Sequence, residues 1–349
     1  SLVRDPDWWG ADLPFNRGQY NIDEIRYDWF GDGEVAFEAF RAGEIDSVRE
    51  FNIAKWESAY DFPAMRSGEV VRSLVPHQRP SGIRGFAMNT RRAPFDDWRV
   101  RDALIHAFNF EFVNAAINGG TEPRITSYFS NSVLGMADGP AEGRVRALLE
   151  PFAAELLPGA LEGYALPVSD GTEANRANTR KALQLLAEAG YSVQDGTMKT
   201  ADGTPLAFEI LMQSGATQEI TVAELYVEAL KRLGVAATIA AVDAAQYKER
   251  TEVYDFDMTW YVRSLSLSPG NEQILYWGAD GVEKPGTRNY MGMASPAAEA
   301  GRSSLPTTNP RSVPCPTMEA TFTATGFRSR WSRNPPRSEK SISTPYALR

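Results

Sequence analysis

Few residues of the chain could carry the chemistry of a catalytic triad or a metal centre. The sequence holds two histidines, His77 and His106, and one cysteine, Cys315. A triad uses histidine as its general base, and zinc sites draw mainly on histidine and cysteine. His77 follows Pro76 at the end of a predicted strand and His106 lies within a predicted helix, where structural roles are the more frequent. The sequence therefore predicts neither a triad nor a metal site.

Carboxylates are abundant, with 45 aspartates and glutamates in the chain. Asp255 and Asp257 are among the acids near predicted element ends, and a hydrolase with paired acids needs only two at the right separation, so that function stays open as an alternative. Most of the carboxylates are expected to be helix caps or solvated charges. The glycines in residues 31–33 and 119–120 lack the spacing of a phosphate-binding loop. We expect no cofactor.

Two other features favour ligand binding. Aromatic residues make up 11% of the chain, and large rings either fill a core or line a cleft that accepts varied side chains. A polar segment, residues 264–271, directly follows a predicted strand at residues 256–262. Loops after strand ends commonly carry the ligand contacts of α/β proteins, and serine hydroxyls with loop amides could hydrogen-bond a peptide-like backbone.

Alternating helices and strands must position these residues. Helices are predicted where apolar residues recur at the spacing of one buried face, at residues 98–108, 178–189 and 219–233. Strands are predicted at residues 205–212, 235–242 and 256–262, with a further helix from Asp243. Asp96 or Asp97 is the expected cap of the first helix. This order predicts an α/β fold with parallel strands covered by helices.

The signals are weaker elsewhere in the chain. Short strands are predicted at residues 24–30, 70–75 and 82–88, and short helices at residues 35–41 and 54–65. Residues 135–175 are rich in Gly, Pro and Ala, which indicates a surface excursion with one helix at residues 143–157. In residues 301–349, Ser, Pro and Thr make up 22 of 49 positions, so no packed core is expected there.

Charge is divided unequally along the chain. The net charge is -9. Residues 301–349 carry eight basic and two acidic side chains, a balance of +6, so residues 1–300 carry -15. A strongly acidic body repels phosphate backbones and anionic lipids, which argues against nucleic-acid or membrane-surface binding. No stretch approaches the roughly 18 apolar residues that a membrane-spanning helix needs.

Several long motifs occur in a consistent order. They are RDPDWW at residues 4–9, AFRAGEID at 39–46, APFDDWRVRDAL at 93–104, LLAEAGY at 185–191, YDFDM at 254–258 and SLSPGNEQ at 266–273. Together they resemble the family 5 extracellular solute-binding proteins, the peptide and nickel receptors of ABC importers. The sequence looks closest to the Yej-type oligopeptide-binding branch, and the resemblance covers residues 1 to about 298.

The resemblance implies a periplasmic-binding-protein-like α/β fold of type II, cluster C, whose two lobes close on a ligand by hinge motion. It implies a monomeric periplasmic protein and no enzyme. This protein would capture peptides or modified peptides and deliver them to the permease subunits of an ABC transporter. The motifs themselves make strand ends, turns and caps rather than catalytic groups.

Compared with the family, the sequence is expected to be incomplete. Residues 1–84 are interpreted as a remnant of the first lobe and residues 85–298 as the second lobe. Residues 299–349 are interpreted as a disordered or out-of-frame tail. A non-functional fragment of a binding protein is therefore a further alternative.

The resemblance also bears on the ligand site. Oligopeptide receptors of this family hold the peptide ammonium with an acidic residue, which by alignment falls near Ser266, and the sequence has no acid between Asp257 and Glu272. Arg263 could instead meet a carboxylate or a carbonyl-rich ligand. The predicted ligand-binding residues are Trp260, Arg263, Ser264, Ser266, Ser268, Asn271 and, in a separate loop, Tyr128.

Overall fold

The computed structural model describes residues 1–30, 33–50, 52–270, 272–304, 322–324 and 330–332. The chain divides between Val75 and Pro76 into two units. The strand at Ile83–Met88 runs through residue 84, where the sequence interpretation divides the two lobes. The domain boundaries at residues 84 and 298 stay predictions.

The first unit packs short elements around a small aromatic core. They are β1 (Leu2–Val3), β2 (Glu24–Ile25), α1 (Gly33–Arg41), β3 (Arg49–Glu50), α2 (Ile53–Ser58), α3 (Pro63–Ser67) and β4 (Arg72–Ser73). The core side chains are Phe37, Phe40, Tyr60, Phe62 and Val70. The strands at β2 and β4 are shorter than predicted.

The single helix predicted at residues 54–65 is wrong. The chain forms α2 and α3 instead, because Pro63 begins the second helix and Phe62 before it is extended. A proline has no N–H to donate, and it drives the preceding residue out of the helical region. The helix predicted at residues 35–41 is confirmed as α1.

The second unit is built on a mixed sheet. Its elements are β5 (Ile83–Met88), α4 (Trp98–Ala107), α5 (Phe110–Asn118), α6 (Gly143–Leu149), α7 (Arg176–Glu188), β6 (Tyr191–Gln194), β7 (Thr197–Thr200), β8 (Ala207–Gln213), α8 (Thr217–Lys231), β9 (Ala236–Val242), α9 (Ala244–Glu252), β10 (Met258–Arg263), α10 (Glu272–Trp277), α11 (Pro296–Ser304) and β11 (Phe322–Ala324). The strand order is β11-β5-β10-β8-β9. The last strand of the chain, β12 (Arg330–Ser332), belongs to the first unit, where it pairs with β3 and β4.

The predicted α/β architecture is confirmed in this unit. Strand β8 pairs in parallel with both β9 and β10, as the alternation of strands and helices indicates. Strand β5 then pairs antiparallel with β10 and with β11. Helix α4 begins after Asp97, whose carboxylate accepts a hydrogen bond from the Arg99 N–H at 2.8 Å, which confirms the predicted cap.

Two local predictions need correction. The helix predicted at residues 143–157 ends at Leu149, where a short 3₁₀ turn containing Pro151 follows. The hairpin β6–β7 was not predicted, although Asp195 and Gly196 between its strands both have positive φ, at 50° and 76°. Asp-Gly is a favoured pair for such two-residue turns, so the sequence did carry a signal for it.

The central sheet has a core on each face. We call the first face the side that carries Phe86 and Trp260, where α4, α7 and α8 supply the covering side chains. The second face carries Ile83, Ala87 and Tyr261, and packs against α10 and residues 291–298. Successive side chains of a strand point to opposite faces, so β10 contributes to both cores.

Candidate ligand-binding site

The predicted contact Trp260 lies on the first face of the sheet. Its side chain is 9% exposed, and its ring packs edge-on against Phe86 with the centroids 5.1 Å apart. The indole Nε1 is buried and has no hydrogen-bond partner among the described residues. Trp260 therefore acts as a core side chain here, and its role as a ligand contact stays a prediction.

Arg263 ends β10 and points to the second face. Its guanidinium carbon lies 5.0 Å from the ring centre of Tyr261, 5.6 Å from that of Tyr276 and 5.7 Å from that of Tyr290. A cation within about 6 Å of an aromatic ring centre is attracted by the electron-rich ring face. We call these three rings the tyrosine cage.

The half-buried guanidinium of Arg263 makes few polar contacts. Its Nη1 donates to the Val262 carbonyl at 3.2 Å, and its Nε is buried without a hydrogen-bond partner. Within the described part of the chain, no carboxylate forms an ion pair with it. Burial raises the pKa of the Tyr261 hydroxyl, and the Arg263 guanidinium acts against that rise.

The loop after β10 carries the predicted serines. Ser264 and Ser268 are exposed and Ser266 is half-buried. The Ser266 hydroxyl donates to the Ser268 carbonyl at 3.0 Å and accepts from the Ser268 N–H at 3.2 Å, so it closes a turn within the loop. The predicted contact Asn271 lies outside the described residues.

Glu272, the first acid after the loop, is held by local hydrogen bonds. Its carboxylate accepts from the Gly270 N–H at 2.9 Å and from the Gln273 side chain at 3.2 Å. Burial acts to raise the pKa of Glu272, but these bonds outweigh it and leave the pKa below its ordinary value. The negative charge of Glu272 therefore stabilises the start of α10.

The predicted contact Tyr128 lies in the core of the second face. Its side chain is buried, and its ring centroid is 4.4 Å from that of Trp277. The Trp277 indole donates to the Gln273 side chain at 2.6 Å. The same core contains Tyr261 and Tyr276 of the tyrosine cage, so the structure brings Tyr128 and Arg263 to one side of the sheet.

Three residues at this site, two tyrosines and a glycine, were missed by the sequence reasoning. Tyr276 and Tyr290 are separated from Arg263 by long stretches of chain, and no local pattern connects them. Gly82 has φ +67°, and a Cβ there would lie 1.9 Å from the Arg263 carbonyl oxygen. A glycine within a predicted strand, here its first residue, is a signal for such a close backbone approach.

The acids Asp255 and Asp257 are held as ion pairs before β10. Arg92 donates to Asp255 at 2.9 Å and to Asp257 at 3.3 Å, and Arg250 lies 3.3 Å from Asp255. The hydrogen bond from Arg92 lowers the pKa of Asp255 below its ordinary value. The general acid of a paired-acid hydrolase needs a raised pKa, so Asp255 does not fit that role.

Two further classes of feature were sought in the described part of the chain. No group of three His, Cys, Asp or Glu side chains there has the arrangement of a metal site. None of its helices has both the length and the apolar character required to cross a bilayer.

The chain is similar to several known proteins. The profile of the family described as "Bacterial extracellular solute-binding proteins, family 5 Middle" matches residues 1–284. The chain is 41% identical over 306 residues to "Peptidoglycan-binding protein YepA" of Agrobacterium fabrum, covering 84% of this chain and 49% of that protein. It is 36% identical over 301 residues to "Probable peptide-binding protein YejA" of the same organism, covering 85% and 48%.

Among solved structures, the chain resembles the oligopeptide-binding protein AppA of Bacillus subtilis, solved in complex with a nonapeptide. The TM-score is 0.61 at 17% identity, and the match covers 89% of this chain and 55% of that one. At this identity the likeness shows the fold, which agrees with the predicted binding-protein architecture. The chain spans about half the length of the curated relatives that it matches.

Proposed function

Because the chain belongs to the bacterial extracellular solute-binding proteins of family 5, we propose that it captures peptides or modified peptides for an ABC importer. The observation that carries this proposal is the family match over residues 1–284. Two relatives bear names that refer to peptide and peptidoglycan binding, which supports a ligand with peptide bonds. In this proposal the protein works as a monomer in the periplasm and delivers its ligand to the permease subunits.

The proposed contacts differ in how directly they can reach a ligand. Ser264 and Ser268 are exposed on the loop after β10, and Arg263 is half-buried at its start. Tyr128 and Trp260 are buried, so they would support the site through packing unless the loop moves. A binding protein needs hydrogen bonds and apolar contacts rather than a reactive group. We propose no catalytic residue.

The test is a thermal melt with and without a pool of short peptides. A ligand that binds only the folded state at 100 times its dissociation constant adds about 2.7 kcal/mol to the free energy of unfolding. We expect the peptide pool to raise the melting temperature. The matched control is the same pool hydrolysed to free amino acids, which keeps the composition and removes the peptide bonds.

The other functions give different outcomes. An unchanged melting temperature across millimolar peptide would contradict peptide capture. A melt without a cooperative transition would favour the non-functional fragment. Mass spectrometry of the pool after incubation tests hydrolysis, because new cleavage products that vanish in a carboxylate variant would identify a paired-acid enzyme.

A further inference from the structure

The second face of the sheet presents Arg263, a cation that forms no ion pair with an acid of the described residues, at the start of the candidate binding loop. We propose that Arg263, held in the tyrosine cage, binds a carboxylate of the ligand, so that the protein selects peptides carrying a free carboxylate. This inference rests on the proposed function, since it concerns the ligand that the same site would take.

The first argument is how the guanidinium of Arg263 is satisfied. Arginine has five N–H donors. In Arg263, Nη1 reaches the Val262 carbonyl, and Nε is buried without a hydrogen-bond partner. A partly desolvated charge is costly unless an opposite charge or hydrogen bonds compensate it. The ring faces of the tyrosine cage supply part of this compensation, and a ligand carboxylate would supply the rest.

Three other arginines of the second unit, Arg91, Arg92 and Arg250, find their acceptors within the protein. Arg92 pairs with Asp255, and Arg250 pairs with Glu209 at 2.9 Å. Arg91, which also stacks on a tyrosine ring, donates to the Asn289 carbonyl at 2.8 Å and to the Val282 carbonyl at 2.7 Å. Arg263 stacks in the same manner, but its acceptors among the described residues are the carbonyl of its neighbour Val262 and the Tyr261 hydroxyl. Compared with Arg91, Arg263 therefore keeps N–H donors that a ligand oxygen can satisfy.

The second argument is the position of the cage. Arg263 directly precedes the exposed Ser264, and Tyr276 of the cage lies on α10. The loop and helix α10 that follow Arg263 in the chain carry the exposed apolar side chains Leu267, Ile274 and Leu275. Apolar surroundings lower the local dielectric constant and strengthen a charge pair. They also offer contacts to the side chains next to a ligand carboxylate.

The third argument concerns the opposite end of a peptide. The chain has no acid between Asp257 and Glu272. Glu272 itself accepts hydrogen bonds from Gly270 and Gln273, and Asp257 pairs with Arg92. This region therefore favours binding of a ligand carboxylate and provides few contacts that would bind a ligand ammonium group.

The experiment measures peptide binding by calorimetry with matched peptide libraries. The libraries contain the same randomised tri- to pentapeptides as free acids, as C-terminal amides and as N-acetylated free acids. Charge-assisted hydrogen bonds correspond to a loss of about tenfold to a hundredfold when one partner is removed. We expect the amides to bind the unchanged protein more weakly by that factor and acetylation to have little effect.

The variants are Arg263→Gln and Arg263→Lys, with Arg288→Gln as the control. Arg288 is an exposed arginine of the same unit, so its loss changes the net charge equally. We expect Arg263→Gln to bind acid and amide forms alike, Arg263→Lys to keep part of the preference, and Arg288→Gln to keep all of it. A thermal melt of each variant identifies misfolding. For the unchanged protein, the ratio of the affinity for free acids to the affinity for amides should fall with added salt.

The outcomes separate the inference from the proposed function. If acids and amides bind the unchanged protein equally, the inference is wrong and peptide capture stands. An amide penalty that persists in Arg263→Gln would place the carboxylate elsewhere and also overturn it. If no library binds, peptide capture itself fails.

A second pair of libraries identifies the source of the carboxylate. Peptides blocked at both ends and carrying Glu or Gln at one position test a side-chain carboxylate. Binding of the Glu form alone would assign the cage to an acidic side chain. If neither blocked form binds while the free acids do bind, the group that the tyrosine cage binds is the C-terminal carboxylate.

Discussion

At the scale of single residues, a close approach between two backbone segments shapes the candidate site. Gly82 precedes β5, and a Cβ at this position would meet the Arg263 carbonyl oxygen at 1.9 Å. Its φ of +67° is also one that residues with a Cβ rarely adopt. The glycine therefore allows β5 to approach the end of β10, where Arg263 enters the tyrosine cage.

Replacing Gly82 with alanine should destabilise the protein through two effects. The left-handed backbone costs about 1 kcal/mol for a residue with a Cβ, and the contact with the Arg263 carbonyl should add about 1–3 kcal/mol because the backbone must move. Gly203→Ala is the control: its φ is +88° and its Cβ would have no neighbour within 4 Å. Urea denaturation measures both. Equal losses of unfolding free energy in Gly82→Ala and Gly203→Ala would show that the close approach to the Arg263 carbonyl does not affect stability.

At the scale of elements, caps and faces arrange the second unit. Helix α4 begins at a carboxylate: Asp97 accepts from the Arg99 N–H at 2.8 Å and pairs with the Arg99 guanidinium at 2.6 Å. The Tyr226 hydroxyl of α8 donates to the Leu104 carbonyl of α4 at 2.9 Å, which joins two helices that cover the first face. These contacts hold α4 against the sheet that carries the candidate site.

The cap of α4 should make stability depend on pH. The Arg99 hydrogen bond lowers the pKa of Asp97 below its ordinary 3.8, against the effect of burial. Because the folded pKa is lowered, this stabilisation is fully present above the ordinary value and is lost as the pH falls through the folded pKa. We expect Asp97→Ala to cost about 1 kcal/mol at pH 7 and much less near pH 2. Urea denaturation at several pH values measures the difference.

The control for the cap is Asp97→Asn. Asparagine keeps an oxygen that accepts from the Arg99 N–H but carries no charge. It should lose less stability than alanine at pH 7, and its deficit should also shrink in acid. An alanine deficit that stays constant from pH 7 to pH 2 would contradict a role for the ionised carboxylate.

At the scale of the whole molecule, the two units have cores of different size. The first unit encloses five buried side chains in its aromatic cluster, while the first-face core of the second unit draws on strands, helices and the hairpin. Small cores leave little stability after the entropy of folding is overcome. The first unit is therefore expected to open more readily than the second.

Hydrogen exchange should reveal this difference. We expect amides of α1 to exchange through openings of lower free energy than those of β8 and β9. Phe40→Ala, which empties part of the core of the first unit, should accelerate amide exchange in α1, and Leu186→Ala should accelerate it in β8. Each substitution should lower the free energy of opening of its region by about 2–5 kcal/mol. Mass spectrometry of peptic fragments reads both regions. Equal acceleration of both regions by either variant would show one cooperative unit instead of two.

The sequence by itself determined the alternation of the second unit and several of its boundaries. The periodicities of α4, α7 and α8, the cap at Asp97 and the glycines that follow α7 and α8 are local signals, because helix formation depends on neighbours three and four residues apart. The parallel pairing of β8 with β9 and β10 was also predicted, since a helix between two strands returns the chain to the end of the sheet where the first strand began. The family motifs predicted the fold and the proposed class of ligand.

Only the tertiary structure decided which side chains meet around Arg263. Alternation along β10 separates Trp260 from Arg263, but local pattern does not show which face borders the helical core and which borders the candidate site. Tyr276 and Tyr290 reach the guanidinium from segments that follow β10, and β5 reaches β10 from more than 150 residues earlier. Such contacts arise from packing between elements that are distant in the chain, and no spacing within the sequence encodes them.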